Sequence, residues 1–192
     1  PGLRADVEGA IERGVQCLLR AQHPDGGWRG FWGVHITYGT FFVVPALLAA
    51  GLPREHPAIR RAVRWLLSRQ RADGGWGESF EGLLDARDVQ LSPTEPSLVV
   101  QTAWAVLTLL SAATGEEAPA IRRGISYLLA RQADHGGWPH ERASGVFFNT
   151  AVLDYDLYKL VFPTWALARY LATRRNDEAR ARPPGREAGQ EA

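Results

Sequence analysis

One phrase occurs three times in this chain and limits what it can fold into. Gln22, Gln70 and Gln132 are each followed six positions later by a tryptophan, Trp28, Trp76 and Trp138, with Gly-Gly immediately before it. Each phrase ends a helix-like run with the same head: Arg13-Gly14-x3-Leu18-Leu19, Arg61-Ala62-x3-Leu66-Leu67 and Arg123-Gly124-x3-Leu128-Leu129. Three copies in register are an internal repeat, the mark of stacked units that bury their apolar faces on one another. Gly-Gly lets the chain reverse after each helix. The tryptophan can stack on the flat glutamine amide and on the next helix end, and the amide can bond loop backbone. The phrase is therefore read as structural, since nothing in it moves a proton or binds a metal.

The repeats alternate with segments of a second kind. Residues 6–22, 56–70 and 118–132 carry apolar residues at helical spacing and keep one polar face. Residues 40–50, 97–113 and 157–174 are apolar nearly all round, which predicts burial on every side. Pro45 is expected to kink its helix or mark an early turn, and Pro163 to sit near the first turn of the last helix. Ser97 is expected as an N-cap. No segment has a convincing strand period. The alternation predicts an all-α fold of helical hairpins, with apolar helices inside and amphipathic helices outside. The connection 71–96 is too long for an idle turn and is marked as functional. Residues 1–174 form the domain, and the polar residues 175–192 are expected to be a disordered tail.

A chain of 192 residues can bury a sizeable core. A net charge of +1 gives no footprint for nucleic acid. The lone Cys17 provides no disulfide framework and is read as a buried, inert thiol. No apolar run reaches the ~20 residues of a transmembrane helix. The chain has no Met and begins at Pro1, and it is expected to be a piece of a longer protein.

With these residues in view, the chain resembles the triterpene cyclases, the squalene–hopene and oxidosqualene cyclases. The three phrases are similar to that family's QW motifs. Trp32-Gly33-Val34-x3-Tyr38-Gly39-Thr40 resembles its Trp-Gly-Val-x3-Tyr-Gly-Thr segment. Residues 72–80, Gln101-Thr102-Ala103-Trp104-Ala105, residues 145–149, and Tyr155-x2-Tyr158-x3-Phe162-Pro163-x-Trp165 through Tyr170 resemble later blocks in order. The likeness covers about residues 3–172. It implies about half of a twelve-helix (α/α) barrel, with the rest supplied by the chain's own polypeptide upstream of Pro1.

The resemblance also implies chemistry. The family folds a linear C30 polyene, squalene or 2,3-oxidosqualene, and closes its rings through carbocations once an aspartic acid has protonated it. That acid lies in Asp-x-Asp-Asp or Asp-Cys-x-Ala-Glu, and neither motif occurs here. Asp85 and Asp88 lie in a loop without either pattern and are rejected as the acid. This portion is then expected to supply cavity wall. A carbocation is destroyed by water and needs a dry pocket of π faces, where a desolvated cation–π contact contributes ~2 kcal/mol or more. By position, Trp32, Phe147, Tyr155 and Tyr158 match cavity aromatics, with Phe148 an alternative register for Phe147. Tyr38 matches a tyrosine near the acid that relays a proton through water. His35 stands where the family often has Cys or Asn, and Asp154 and Asp156 make the flanks of Tyr155 unusually polar. Residues 145–149 and 165–170 lean toward the oxidosqualene side. The reaction needs no metal and no organic cofactor. The family attaches to one leaflet as a monotopic membrane protein, here expected on the cytoplasmic side.

Other readings stay open. A protein prenyltransferase β-subunit uses the same barrel with a zinc site of Asp, Cys and His, but Cys17 has no histidine at a familiar spacing. A non-catalytic α/α toroid and a cyclase relative that has lost its acid are the others.

Overall fold

The computed structural model describes residues 2–82, 89–148 and 150–181. Six α-helices follow one another: α1 (Leu3–Arg20), α2 (Ile36–Ala49), α3 (Pro57–Arg69), α4 (Val99–Ala112), α5 (Ala118–Arg131) and α6 (Asp156–Ala181). The chain is a mostly helical part of a toroid, as its alternating pattern predicts. The apolar helices contact one another in the order α2, α4, α6, while α3 and α5 pack against α4 from the other side.

The repeated phrase explains this geometry. After each outer helix the chain turns back, with His23, Arg71 and Ala133 N–H donating to Gly27, Gly75 and Gly137 carbonyls. Gly26, Gly74 and Gly136 sit in these turns at φ of 114°, 90° and 87°, where a side chain is strained. Each tryptophan folds back on its own helix: Nε1–H of Trp28, Trp76 and Trp138 donates to the carbonyls of Leu18, Leu66 and Leu128 at 2.7, 2.7 and 2.9 Å. Each amide caps its own turn, Gln22, Gln70 and Gln132 donating to Gly26, Gly74 and Gly136 carbonyls at 2.6, 2.8 and 2.8 Å. The first two amides also clasp the next outer helix. Gln22 Nε2 donates to Ala58 C=O and Gln70 Nε2 to Ala120 C=O, both at 2.8 Å. Arg61 and Arg123 donate back to the same two amide oxygens.

Several expectations are corrected. Two three-residue strands, β1 (Gly145–Phe147) and β2 (Ala151–Leu153), pair antiparallel with Val146 opposite Val152, too short to leave a period in the sequence. Only α4 is buried nearly all round, because it alone has apolar helices on both sides. Phe42 on α2 and Leu157, Leu160, Val161 and Trp165 on α6 stay exposed. Cys17 is exposed, since α1 buries no residue. Leu98 takes the N-cap of α4, while Ser97 donates through N–H and hydroxyl to Asp73 at 2.9 and 2.6 Å. Pro163 lies in the interior of α6 rather than its first turn. α6 also runs through residues 175–181 of the expected tail, helped by an i,i+4 pair of Arg174 with Glu178. Asp85, Asp88, Asn149 and the tail from residue 182 lie outside the described residues.

Candidate functional site

The segment between the first turn and α2 carries Trp32 and Tyr38, and β1 brings Phe147 beside them. Val146 N–H donates to Trp32 C=O at 3.0 Å and Val34 N–H to Ser144 C=O at 2.9 Å, which joins the two stretches edge to edge. Tyr155, just before α6, and Tyr158, in its first turn, complete the group. Trp32, Tyr38, Phe147, Tyr155 and Tyr158 line one cavity of about 310 Å³ with Gly145, Val146 and Leu153. All five aromatic candidates therefore meet in one place, although they come from sequence positions far apart. The lining residues include no carboxylate.

The ring geometry is that of a continuous aromatic wall. Trp32 lies 6.1 Å from Phe147, and Tyr155 lies 4.9 Å from Tyr158, each pair tilted. Phe148, at φ 47°, packs edge-on against Trp32 at 4.8 Å but does not line the cavity, so Phe147 holds that register. Behind the wall stands Trp104, fully buried, edge-on to Tyr38 at 5.2 Å and to Tyr158 at 6.0 Å. The sequence placed Trp104 in an apolar helix and in a block that resembles the family but gave it no site role, and its place as the hub joining Tyr38 to Tyr158 depends on the packing of α2, α4 and α6. Burial pushes the Tyr38 hydroxyl above the usual phenol range, with Tyr158 adding to it. Tyr158 is raised in the same way by burial and by Tyr155. Both phenols keep their protons at neutral pH and can donate or pass one on.

His35 and the flanking acids are resolved by their surroundings. The His35 ring is buried and its backbone carbonyl accepts from Gly30 N–H at 2.8 Å. Asp154 and Asp156 do not line the cavity. They pair with the buried Lys159 ammonium at 2.6 and 3.0 Å, which with the nearby His140 holds Asp154 below the usual carboxylate range despite its burial. His140, Asp154 and Asp156 bring ligand atoms within 4.8 Å of one another, but Lys159 already places a cation among them. A second, larger apolar groove of about 860 Å³ lies further along α2 and α6, with Phe41, Phe42, Phe162 and Trp165 in its wall. Among the described residues no helix is long and apolar enough to cross a membrane.

Comparison with known proteins gives a consistent result. The squalene–hopene cyclase C-terminal domain family matches residues 3–172. Cycloartenol synthase of Dictyostelium discoideum is 47% identical over 165 residues, 86% of this chain and 23% of that protein. Squalene–hopene cyclase of Alicyclobacillus acidocaldarius is 46% identical over 166 residues, 86% of this chain and 26% of that protein. The fold is like that of ent-copalyl diphosphate synthase from Streptomyces platensis, with a TM-score of 0.62 at 24% identity over 87% of this chain and 30% of that one. The chain thus spans about a quarter of the length of the curated relatives it matches.

Proposed function

Since the chain belongs to the family of squalene–hopene cyclase C-terminal domains, we propose that it forms one wall of a triterpene cyclase active site. The complete enzyme cyclises squalene or 2,3-oxidosqualene through acid-initiated carbocations, and the residues leading up to Pro1 supply the acid and the rest of the barrel. The single observation behind this reading is the meeting of Trp32, Tyr38, Phe147, Tyr155 and Tyr158 around one cavity whose lining has no carboxylate. π faces stabilise a passing cation without capturing it, whereas a carboxylate would add to it or deprotonate it early.

The roles follow from position. Trp32, Phe147 and Tyr155 present π faces to the developing cation, and Tyr158 orients Tyr155 at 4.9 Å. Tyr38, protonated at rest, donates its hydroxyl proton by way of water toward the initiating acid and takes one back from a second water. The substrate is insoluble in water, so the enzyme is proposed to sit on one leaflet, on the cytoplasmic side, without a spanning helix.

The test is turnover of both substrates by the complete polypeptide, with products separated by mass spectrometry. Cyclised triterpene from either substrate is expected, and the substrate consumed decides between the two. Trp32→Ala should cut turnover or divert product to partly cyclised alcohols. An unchanged rate and profile would remove Trp32 from the site.

A further inference from the structure

The first turn of α2 lies beside the cavity, and α2 has no side-chain cap of its own. Its leading N–H groups need acceptors. They find them in Glu78, from the second Gly-Gly-Trp loop, which is only 3% exposed. Glu78 Oε2 accepts from His35 N–H at 3.1 Å and from Ile36 N–H at 2.8 Å. Oε1 accepts from Thr37 N–H at 2.7 Å and from the Thr37 hydroxyl. Gln101 of α4, fully buried, completes the hold. Its Nε2 donates to Val34 C=O at 3.0 Å, and its Oε1 accepts from the N–H of Glu78 itself. Residues 34–37 are thus gripped along their whole length by two buried side chains. On one side of that stretch is Trp32 and on the other Tyr38, both lining the cavity, while neither Glu78 nor Gln101 does.

We infer that Glu78 is a positioning residue of the cyclase: its buried carboxylate, held by Gln101, sets Trp32 and Tyr38 against the cation path. The inference rests on the cyclase reading above. Among the described residues, four donors from residues 35–37 converge on this one group, and only a carboxylate offers acceptors on both oxygens with no donor of its own. Its charge also faces the positive end of the α2 dipole. Glu78→Gln keeps the shape but turns an amide NH2 toward backbone N–H groups, so the segment must shift. A shift on the order of 1 Å can cost about a hundredfold in rate.

The experiment compares Glu78→Gln with Glu117→Gln in the complete cyclase. Glu117 is an equally buried carboxylate that pairs with Arg60 at 2.6 Å, accepts from Thr114 and Gly115 N–H, and does not line the cavity. Both variants should lower Tm. Only Glu78→Gln should lower kcat, by about ten- to a hundredfold with a smaller change in KM, and raise the share of partly cyclised alcohols. A wild-type product ratio for Glu78→Gln, or the same change of ratio in Glu117→Gln, would overturn the inference. If Glu78→Gln yields no folded enzyme, Thr37→Val, which removes one of the four donors at nearly constant volume, is read by the same criteria. A wild-type enzyme that cyclises neither substrate overturns the cyclase reading and this inference together. An active wild type with an unaltered Glu78→Gln profile overturns this inference alone.

Discussion

At the scale of single residues, two titrating groups give the sharpest expectations. Tyr38→Phe removes the hydroxyl proposed to relay a proton while leaving the ring against Trp104 at 5.2 Å. In the complete enzyme it should slow turnover about a hundredfold or more with little change in product identity, and a wild-type rate would exclude the relay. Glu141 is a different case. Its carboxylate caps α4 through Val99 N–H at 2.6 Å, and burial raises it from 4.5 to about 7 against the pull of that N–H and of Arg131. The folded chain then holds a proton that the unfolded chain releases, so this contribution to stability is complete below pH 4.5 and is lost as pH rises to about 7. Glu141→Gln should flatten the fall in unfolding free energy across that window, by up to about 1.4 kcal/mol per pH unit, and be the more stable form above about pH 8. Equal slopes in urea titrations of the two proteins would show that Glu141 ionises alike folded and unfolded. Both roles were hidden in the sequence to different degrees: Tyr38 stood in a motif, whereas Glu141 stood in an ordinary polar stretch.

At the scale of elements, the three repeats are alike in sequence but not in load. Gln70 bonds its own turn, the first turn of α5 and Arg123, while Gln132 bonds only Gly136 among the described residues. Gln70→Ala should therefore cost about 2–3 kcal/mol and Gln132→Ala about 1 kcal/mol, at roughly 1 kcal/mol per net hydrogen bond. Chemical denaturation of this chain reads the difference, and equal costs would mean that the clasp between outer helices contributes little. Within the connection 71–96, Glu78 reaches across to the N-terminus of α2. Its two-sided grip on residues 34–37 leaves no local pattern, because both partners are distant in sequence.

At the scale of the molecule, an arc of hairpins leaves its inner side open. Phe42 of α2 and Leu157, Leu160, Val161 and Trp165 of α6 are exposed, and an apolar surface of this kind calls for a covering partner. The isolated chain should bind a hydrophobic dye and form no cyclised product from squalene or oxidosqualene. Product from this chain with no other polypeptide present would overturn its assignment as a wall without an acid. The sequence by itself determined the repeat and the alternation of amphipathic and apolar helices, because these are properties of spacing; the five aromatics of the cavity were marked only through the resemblance of their segments to the triterpene cyclases. Only the tertiary structure decided that Phe147 rather than Phe148 faces the cavity, that Asp154 and Asp156 belong to Lys159, that Trp104 joins Tyr38 to Tyr158, and that Glu78 and Gln101 bond the stretch 34–37 between Trp32 and Tyr38. Each of those depends on groups brought together across long stretches of chain, and a contact between distant residues leaves no periodicity in either of them.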